Sequence, residues 1–212
     1  MSVVYAIIGD LVGSRRAGSR PGVQAALHDA LAQASAVVAP VDRLEPTVGD
    51  EFQGVYATTG QATLAALLVR LYLPEPLDAR CGIGVGERDV FDADRTPMLQ
   101  DGPVWWSARA AVEALDEPGA RNRRTWFDGG GIATVDEVAI TNAFLLSRDA
   151  LVDRLNDRSR RMLRQALAGA SQREIATAEE ISESAVSQAF AKGVSAIRDA
   201  QQMLFTAAGT SR

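Results

Sequence analysis

Apolar positions in this chain recur with two distinct periods, and the change between them divides it into elements. Val3 to Gly9 is a continuous apolar run that stops at Asp10, the pattern of a central strand covered on both faces. Arg15 to Pro21 is polar and reads as a loop. Val23, Ala26, Leu27, Ala30, Leu31 and Ala34 then recur at helical spacing over Gly22 to Val38, before Pro40. Two short β-prone runs, Arg43 to Val48 and Phe52 to Ala57, flank Gly49-Asp50-Glu51 and predict a hairpin. A second amphipathic helix follows over Gly60 to Leu73, closed by Pro74 and Pro76. From Ala79 to Glu87, Cys81, Ile83 and Val85 alternate with Gly82, Gly84 and Gly86, which predicts a strand whose glycine side admits a closely packed backbone. The resulting order, β-α-β-β-α-β, is that of the split βαβ, ferredoxin-like fold.

After a polar loop, Trp105 to Leu115 predicts a third helix and Arg124 to Phe127 a last short strand. Beyond Val135 the pattern is purely helical. Val138 to Leu155 and Arg160 to Leu167 are amphipathic, with Gly169 as a C′ stop. Ser171-Gln172-Arg173-Glu174 is a capping box opening a short helix, and Ser182 caps a longer one with Val186, Phe190, Val194 and Ile197 on one side. The fold class expected is therefore α/β (α+β): a ferredoxin-like domain over residues 1–130, then an all-α unit over 136–206, with the boundary near Asp128 to Asp136.

Charge sharpens this division. The 212-residue chain carries a net charge of −5, which argues against a general nucleic-acid coat or an anionic-membrane binder. Residues 1–150 hold 13 basic and 20 acidic side chains, a balance of −7, whereas 151–212 hold 9 and 7, a balance of +2. The tail alone can approach a phosphate backbone without strong repulsion. Cys81, the single cysteine, reads as a small buried hydrophobe, and no secretory leader or membrane-length apolar segment is visible. A cytoplasmic location is the expectation, with no membrane partner.

The chemistry-bearing residues gather at two places. Asp10 closes the first strand and Asp50-Glu51 sit at the hairpin tip, so the carboxylates of two neighbouring strands could share a divalent cation. Several segments together resemble the catalytic domain of class III nucleotidyl cyclases and, more distantly, the GGDEF diguanylate cyclases and palm polymerases. They are Asp10-Leu11-Val12-Gly13-Ser14, Gly49-Asp50, Arg80-Cys81-Gly82-Ile83-Gly84-Val85-Gly86, and Gly102 through Arg109. The resemblance implies a palm-like nucleotide site with catalytic Asp10, Asp50, Glu51 and Arg109. Asp10 and Asp50 would ligate Mg2+ or Mn2+, the amides of Leu11, Val12, Gly13 and Ser14 would cradle phosphate oxygens, and Arg109 would neutralise developing charge. Trp105 and Pro46 stand where the cyclases have their substrate-orienting Asn and base-reading Lys, so phosphate binding carries over and purine recognition does not. His28, with no second His or Cys in reach by spacing, reads as structural.

The second place is the tail. Arg173-Glu174-Ile175-Ala176 through Ile181-Ser182-Glu183-Ser184-Ala185-Val186-Ser187-Gln188 resembles the helix-turn-helix pattern of transcription regulators and sigma-factor region 4. The resemblance implies that Ser184, Ser187, Gln188 and Lys192 of the second helix face DNA bases, with Arg173 and the arginines Arg160, Arg161 and Arg164 on phosphates. Glu179 and Glu180 replace the usual Leu and Gly at the turn, which predicts weaker packing there. Taken over nearly its full length, the chain resembles the SatD family. The reading expected is a DNA-binding regulatory protein whose palm-like domain binds a nucleoside triphosphate or other nucleotide. The alternative is an active Mg2+-dependent nucleotidyl cyclase or nucleotidyltransferase working as a homodimer.

Overall fold

In a computed structural model of the chain, which describes residues 2–14, 19–120 and 123–207, five strands form one mixed sheet against which the helices pack. In chain order the elements of the first half are β1 (Val4–Val12), α1 (Arg20–Val37), β2 (Asp42–Pro46), β3 (Glu51–Tyr56), α2 (Thr59–Tyr72), β4 (Asp78–Gly86), β5 (Asp89–Asp92), β6 (Leu99–Asp101), α3 (Pro103–Glu113) and β7 (Thr125–Asp128). The sheet order is β2-β3-β1-β4-β7, antiparallel throughout except that β7 runs parallel to β4. The expected β-α-β-β-α-β order is thus present in β1 to β4. The Arg15–Gly18 part of the expected first loop and the chain after Ala207 lie outside the described residues.

Alternation on β1 explains the two layers. Ile7 and Leu11 turn to α1 and α2, joining Leu27, Leu31, Phe52, Tyr56 and Leu68 in the main core, while Val4, Ala6 and Ile8 turn to α3 with Val104, Trp105 and Ala108. The same rule explains the glycines of β4. A Cβ on Gly84 would lie 2.1 Å from the Ala108 backbone nitrogen, and one on Gly82 would lie 2.5 Å from that of Val112. The glycine face of β4 is therefore where the backbone of α3 rests on the sheet, as the alternation predicts. Cys81, Ile83 and Val85 fill the opposite side, and burial pushes the Cys81 thiol pKa up, so it behaves as a hydrophobe.

The second half holds α4 (Val135–Val152), α5 (Asp157–Leu167), α6 (Gln172–Ala178), α7 (Glu183–Ala189), a π-helical turn (Phe190–Val194) and α8 (Ser195–Ala207). Thr134 with Glu137, and Ser171 with Glu174, form reciprocal capping boxes, and Asn156 and Ser182 cap α5 and α7. Each such cap is worth about 1 kcal/mol. Leu67 and Leu71 of α2 enter a second apolar cluster with Met162, Leu163, Ile175, Val186, Phe190 and Ile197. A core shared with α2 therefore fastens the tail helices to the sheet half.

Two local expectations are corrected. The stretch after β4 is not a featureless polar loop, since β5 and β6 pair there as a separate two-stranded ribbon. The long helix opened by Ser182 is broken: Gly193 adopts φ 135°, ending the π-helical turn and redirecting the chain into α8. The apolar stripe survives the break because Val194 and Ile197 remain buried on the same cluster.

Candidate functional site

The end of β1 meets the β2–β3 turn, and strand pairing decides what stands beside Asp10. Its partner is Glu51 on β3 and Arg80 on β4. Residues directly opposite in a sheet project to the same side, so Asp10, Glu51 and Arg80 all lie on the α3 side. Phe52, on the other side, lies across Gly9, where an added Cβ would come 2.2 Å from the ring. The Gly9-Asp10 and Asp50-Glu51-Phe52 segments are thus locked together by an aromatic ring and a glycine.

Hydrogen bonds fix the hairpin tip. Ser14 Oγ donates to Asp50 Oδ2 at 2.8 Å, the Leu11 N–H donates to the Asp50 carbonyl at 3.2 Å, and Gln24 Nε2 donates to the Gly49 carbonyl. Of the four residues expected to cradle phosphate, Leu11 and Val12 are the last of β1, and Gly13 and Ser14 begin the turn that follows. Arg109 reaches Glu51 with Nη1 to Oε1 at 3.9 Å; both side chains are about half exposed (49% and 45%), so this pair contributes little to stability.

The decisive partner of Asp10 is Arg80, which the sequence reading did not assign. Its Nε and Nη2 fork onto the two Asp10 oxygens at 3.1 and 2.7 Å, and its Nη1 donates to Asp116 at 2.6 Å. The hydrogen bond to Asp10 is the largest influence on Arg80 and drives its pKa upward, keeping it charged. Beside this cluster lies a pocket of about 640 Å³, lined by Asp10, Arg80, Asp116, Glu117, Arg123 and Arg124 among others. That volume lies in the range of small-molecule sites. Arg123 stacks on Trp126 at 4.4 Å, and Arg124 ion-pairs with Asp78 at 2.9 Å.

A bound divalent cation needs free carboxylate oxygens. Asp10 gives both of its oxygens to Arg80, Asp50 accepts from Ser14, and among the described residues no group of three or more His, Cys, Asp or Glu side chains is arranged to hold a metal ion. A Mg2+ or Mn2+ ion shared by Asp10 and Asp50 would compete with Arg80 and Ser14 for these oxygens. What the cluster offers is guanidinium, the group that pairs with phosphate or carboxylate in a two-pronged fashion. His28 is exposed on α1.

A buried polar network was also missed in the sequence. Arg70, fully buried on α2, donates to Asp78 of β4, to Asp149 of α4 and to Asp153 at the C-terminal cap of α4. Burial opposes its charge, but these carboxylates together raise its pKa. Asp149 also accepts from Arg148, which reaches the Thr63 carbonyl and Gln201 of α8. One signal was available: Arg70 interrupts the apolar side of a helix, between Leu67 and Leu71, where a charge is found only with partners.

In the tail, Arg173, Ser184, Ser187, Gln188 and Lys192 are all exposed, while Ile175, Ala176, Val186 and Phe190 are buried. The turn between α6 and α7 is tighter than expected. Glu180 takes the left-handed conformation (φ 55°) where the pattern has glycine, and the Ile181 N–H returns to the Ala176 carbonyl at 3.0 Å. Glu179, where the pattern has leucine, turns back to Arg161 and Gln165 of α5 at 2.7 Å each, and the Arg161 hydrogen bond holds its carboxyl below the ordinary range. At Glu179 a side-chain ion pair stands in place of the apolar contact. The same bond occupies Arg161, while Arg160 donates to the Arg70 carbonyl and Arg164 covers Tyr72.

A family model described as SatD family matches residues 4–197. The chain belongs to the SatD family. No curated protein matches it. Membership in the SatD family spans both the β1–β3 cluster and the α5–α7 tail, so both belong to the family's shared chain. Among the described residues of this SatD-family chain, no helix is long and apolar enough to cross a membrane.

Proposed function

We propose that this SatD-family chain is a DNA-binding regulatory protein, with α6 and α7 as a helix-turn-helix and the sheet half as a palm-like unit that binds a nucleotide through its phosphates. The observation that carries the reading is the α6–α7 pair. Its inner side is packed into the second cluster, its turn is closed by Glu180 and Ile181, and the outer side of α7 presents Ser184, Ser187 and Gln188 to solvent. Gln can pair with adenine through two hydrogen bonds, and Ser donates or accepts without discrimination, a combination suited to reading the major groove.

On the sheet half, the reading rests on the pocket beside Asp10. A phosphate group entering it would compete with Asp10 and Asp116 for Arg80. A route to the tail is present in the polar network: Arg124 lines the pocket and holds Asp78, Asp78 holds Arg70, and Arg160 of α5 donates to the Arg70 carbonyl. The cyclase reading has less to stand on, because Trp105 and Pro46 stand where the cyclases have their substrate-orienting Asn and base-reading Lys.

Gel-shift and footprinting on the segment upstream of the protein's own coding region, with and without each nucleoside triphosphate, test the reading. Salt-sensitive, sequence-preferring binding that changes with one nucleotide is expected; no preference under any condition would sink it. Thermal-shift screening of the same nucleotides, with and without Mg2+ or Mn2+, on wild type and Arg80→Ala separates phosphate binding from metal binding.

A further inference from the structure

The cations expected on phosphates are largely spent inside the protein: Arg160 on the Arg70 carbonyl, Arg161 on Glu179 and Arg164 on Tyr72. A different set faces outward. Between the start of α5 and the outer side of α7 runs a groove of about 340 Å³ whose charged lining residues are Arg154, Arg158 and Lys192. Among the described residues, no Asp or Glu lines it, in a chain of net charge −5. Asp157 and Glu183 stand at the starts of the same helices and take no part in the lining.

All three cations are exposed. The side chains of Arg154 and Lys192 make no hydrogen bond or ion pair among the described residues, and Arg158 acts on Glu179 only through its charge. The floor is apolar, with Met162 buried beneath, so the two walls are held at fixed spacing by the tail core. Gln188 belongs both to this groove and to the outward side of α7. A helix seated in the major groove is flanked by phosphates, so cations alongside Gln188 stand where a strand's backbone would run.

We propose that this groove grips the sugar-phosphate backbone of duplex DNA, with Arg154, Arg158 and Lys192 as its phosphate contacts. The proposal rests on the helix-turn-helix reading and adds to it which strand-facing side of α7 carries the electrostatic binding. Each phosphate neutralised releases counterions, so the salt dependence of binding counts the cations involved.

The test is fluorescence anisotropy of the full chain on a labelled short duplex of arbitrary sequence, over a series of potassium chloride concentrations. The slope of log affinity against log salt should become shallower by about 0.9 for each of Arg154→Ala, Arg158→Ala and Lys192→Ala, and by about 2.7 for the triple variant. Arg95→Ala, which removes an exposed cation between β5 and β6, should leave that slope unchanged. The substituted side chains are exposed, so an unchanged melting temperature confirms that the triple variant is folded. A folded triple variant with wild-type slope overturns the groove while leaving DNA binding standing. Wild type that binds no duplex at low salt overturns both. Displacement of the duplex by poly-glutamate at equal charge concentration overturns the proposal in favour of an acidic protein partner.

Discussion

Asp78 shows how a single carboxylate ties strand to helix. It sits at the start of β4, accepts from Arg70 Nε and Nη2 at 2.9 and 3.0 Å and from Arg124 Nε at 2.9 Å, and takes its own neighbour's Ala79 N–H at 2.8 Å. Burial alone would raise its pKa, but the Arg70 and Arg124 hydrogen bonds outweigh burial and leave the carboxyl below its ordinary value. A carboxyl whose folded pKa is depressed stabilises the fold above its unfolded pKa of about 3.9, and that contribution is lost as pH falls through the folded value. Asp78→Asn should therefore cost about 3 kcal/mol near neutrality, because Arg70 is left with an unpaired edge in the core. The gap between wild type and variant in urea unfolding should stay level from neutral pH down to mildly acidic pH and close only below about pH 4. A gap independent of pH through that range would mean that Asp78 packs without acting as a charge. Glu180 makes the opposite case. A non-glycine residue in the left-handed region carries a steric cost of roughly 1–2 kcal/mol, so Glu180→Gly should raise stability by about 1 kcal/mol in the same assay, and a loss would show that the Glu180 side chain contributes something its backbone does not.

At the scale of elements, the sequence was most informative where burial is one-sided. The helical stripes of α1 and α2, the alternation of β4 and the Ser171 and Ser182 caps all survive in the structure because each leaves a periodic trace. The β5–β6 ribbon left none, since Asp89, Val90, Phe91 and Asp92 are all exposed and bury no alternate face. The break at Gly193 was hidden for a different reason: Val186, Phe190, Val194 and Ile197 keep helical spacing straight through it, and one glycine inside such a stripe is compatible with a continuous helix. For the site, the meeting of Asp10 with the hairpin followed from two runs ending in acids. The Arg80–Asp10 fork did not, because it depends on the register of β1 against β4, which no local pattern specifies. The break matters to function, since it lets α7 point outward while α8 returns to α2, where its backbone at Leu204 and Phe205 fills the space beside Gly60. Gly193→Ala forces a side chain onto φ 135° and should cost about 1–3 kcal/mol. Amide exchange should speed up in α8 before β1. Uniform loss of protection across both elements would show that the kink does not govern docking of α8.

Across the whole molecule, an acidic sheet half and a mildly basic tail are held together by buried charges rather than by apolar contact alone. Asp149 is the centre of that arrangement. Fully buried on α4, it accepts from Arg70 at 3.2 Å, from Arg148 Nε and Nη2 at 3.1 and 2.9 Å, and from the backbone N–H groups of Arg124 and Thr125 at 3.2 and 2.8 Å. The first arginine leads to β4 through Asp78, and the second leads to α8 through Gln201, so one carboxylate braces both halves. Removing it strands two guanidinium groups and two amides in the interior, and breaking a buried pair in this way costs roughly 3–5 kcal/mol. Such a loss should fall on sheet and tail together. In Asp149→Ala, tryptophan fluorescence reports the sheet half, because Trp105, Trp106 and Trp126 all lie there, and helical circular dichroism reports a signal rich in the tail. Both should show a single transition at the same lowered denaturant midpoint. If the fluorescence midpoint falls and the helical signal persists to the wild-type midpoint, the halves unfold independently, and the network cannot carry a ligand's effect from the Arg80 pocket to α7.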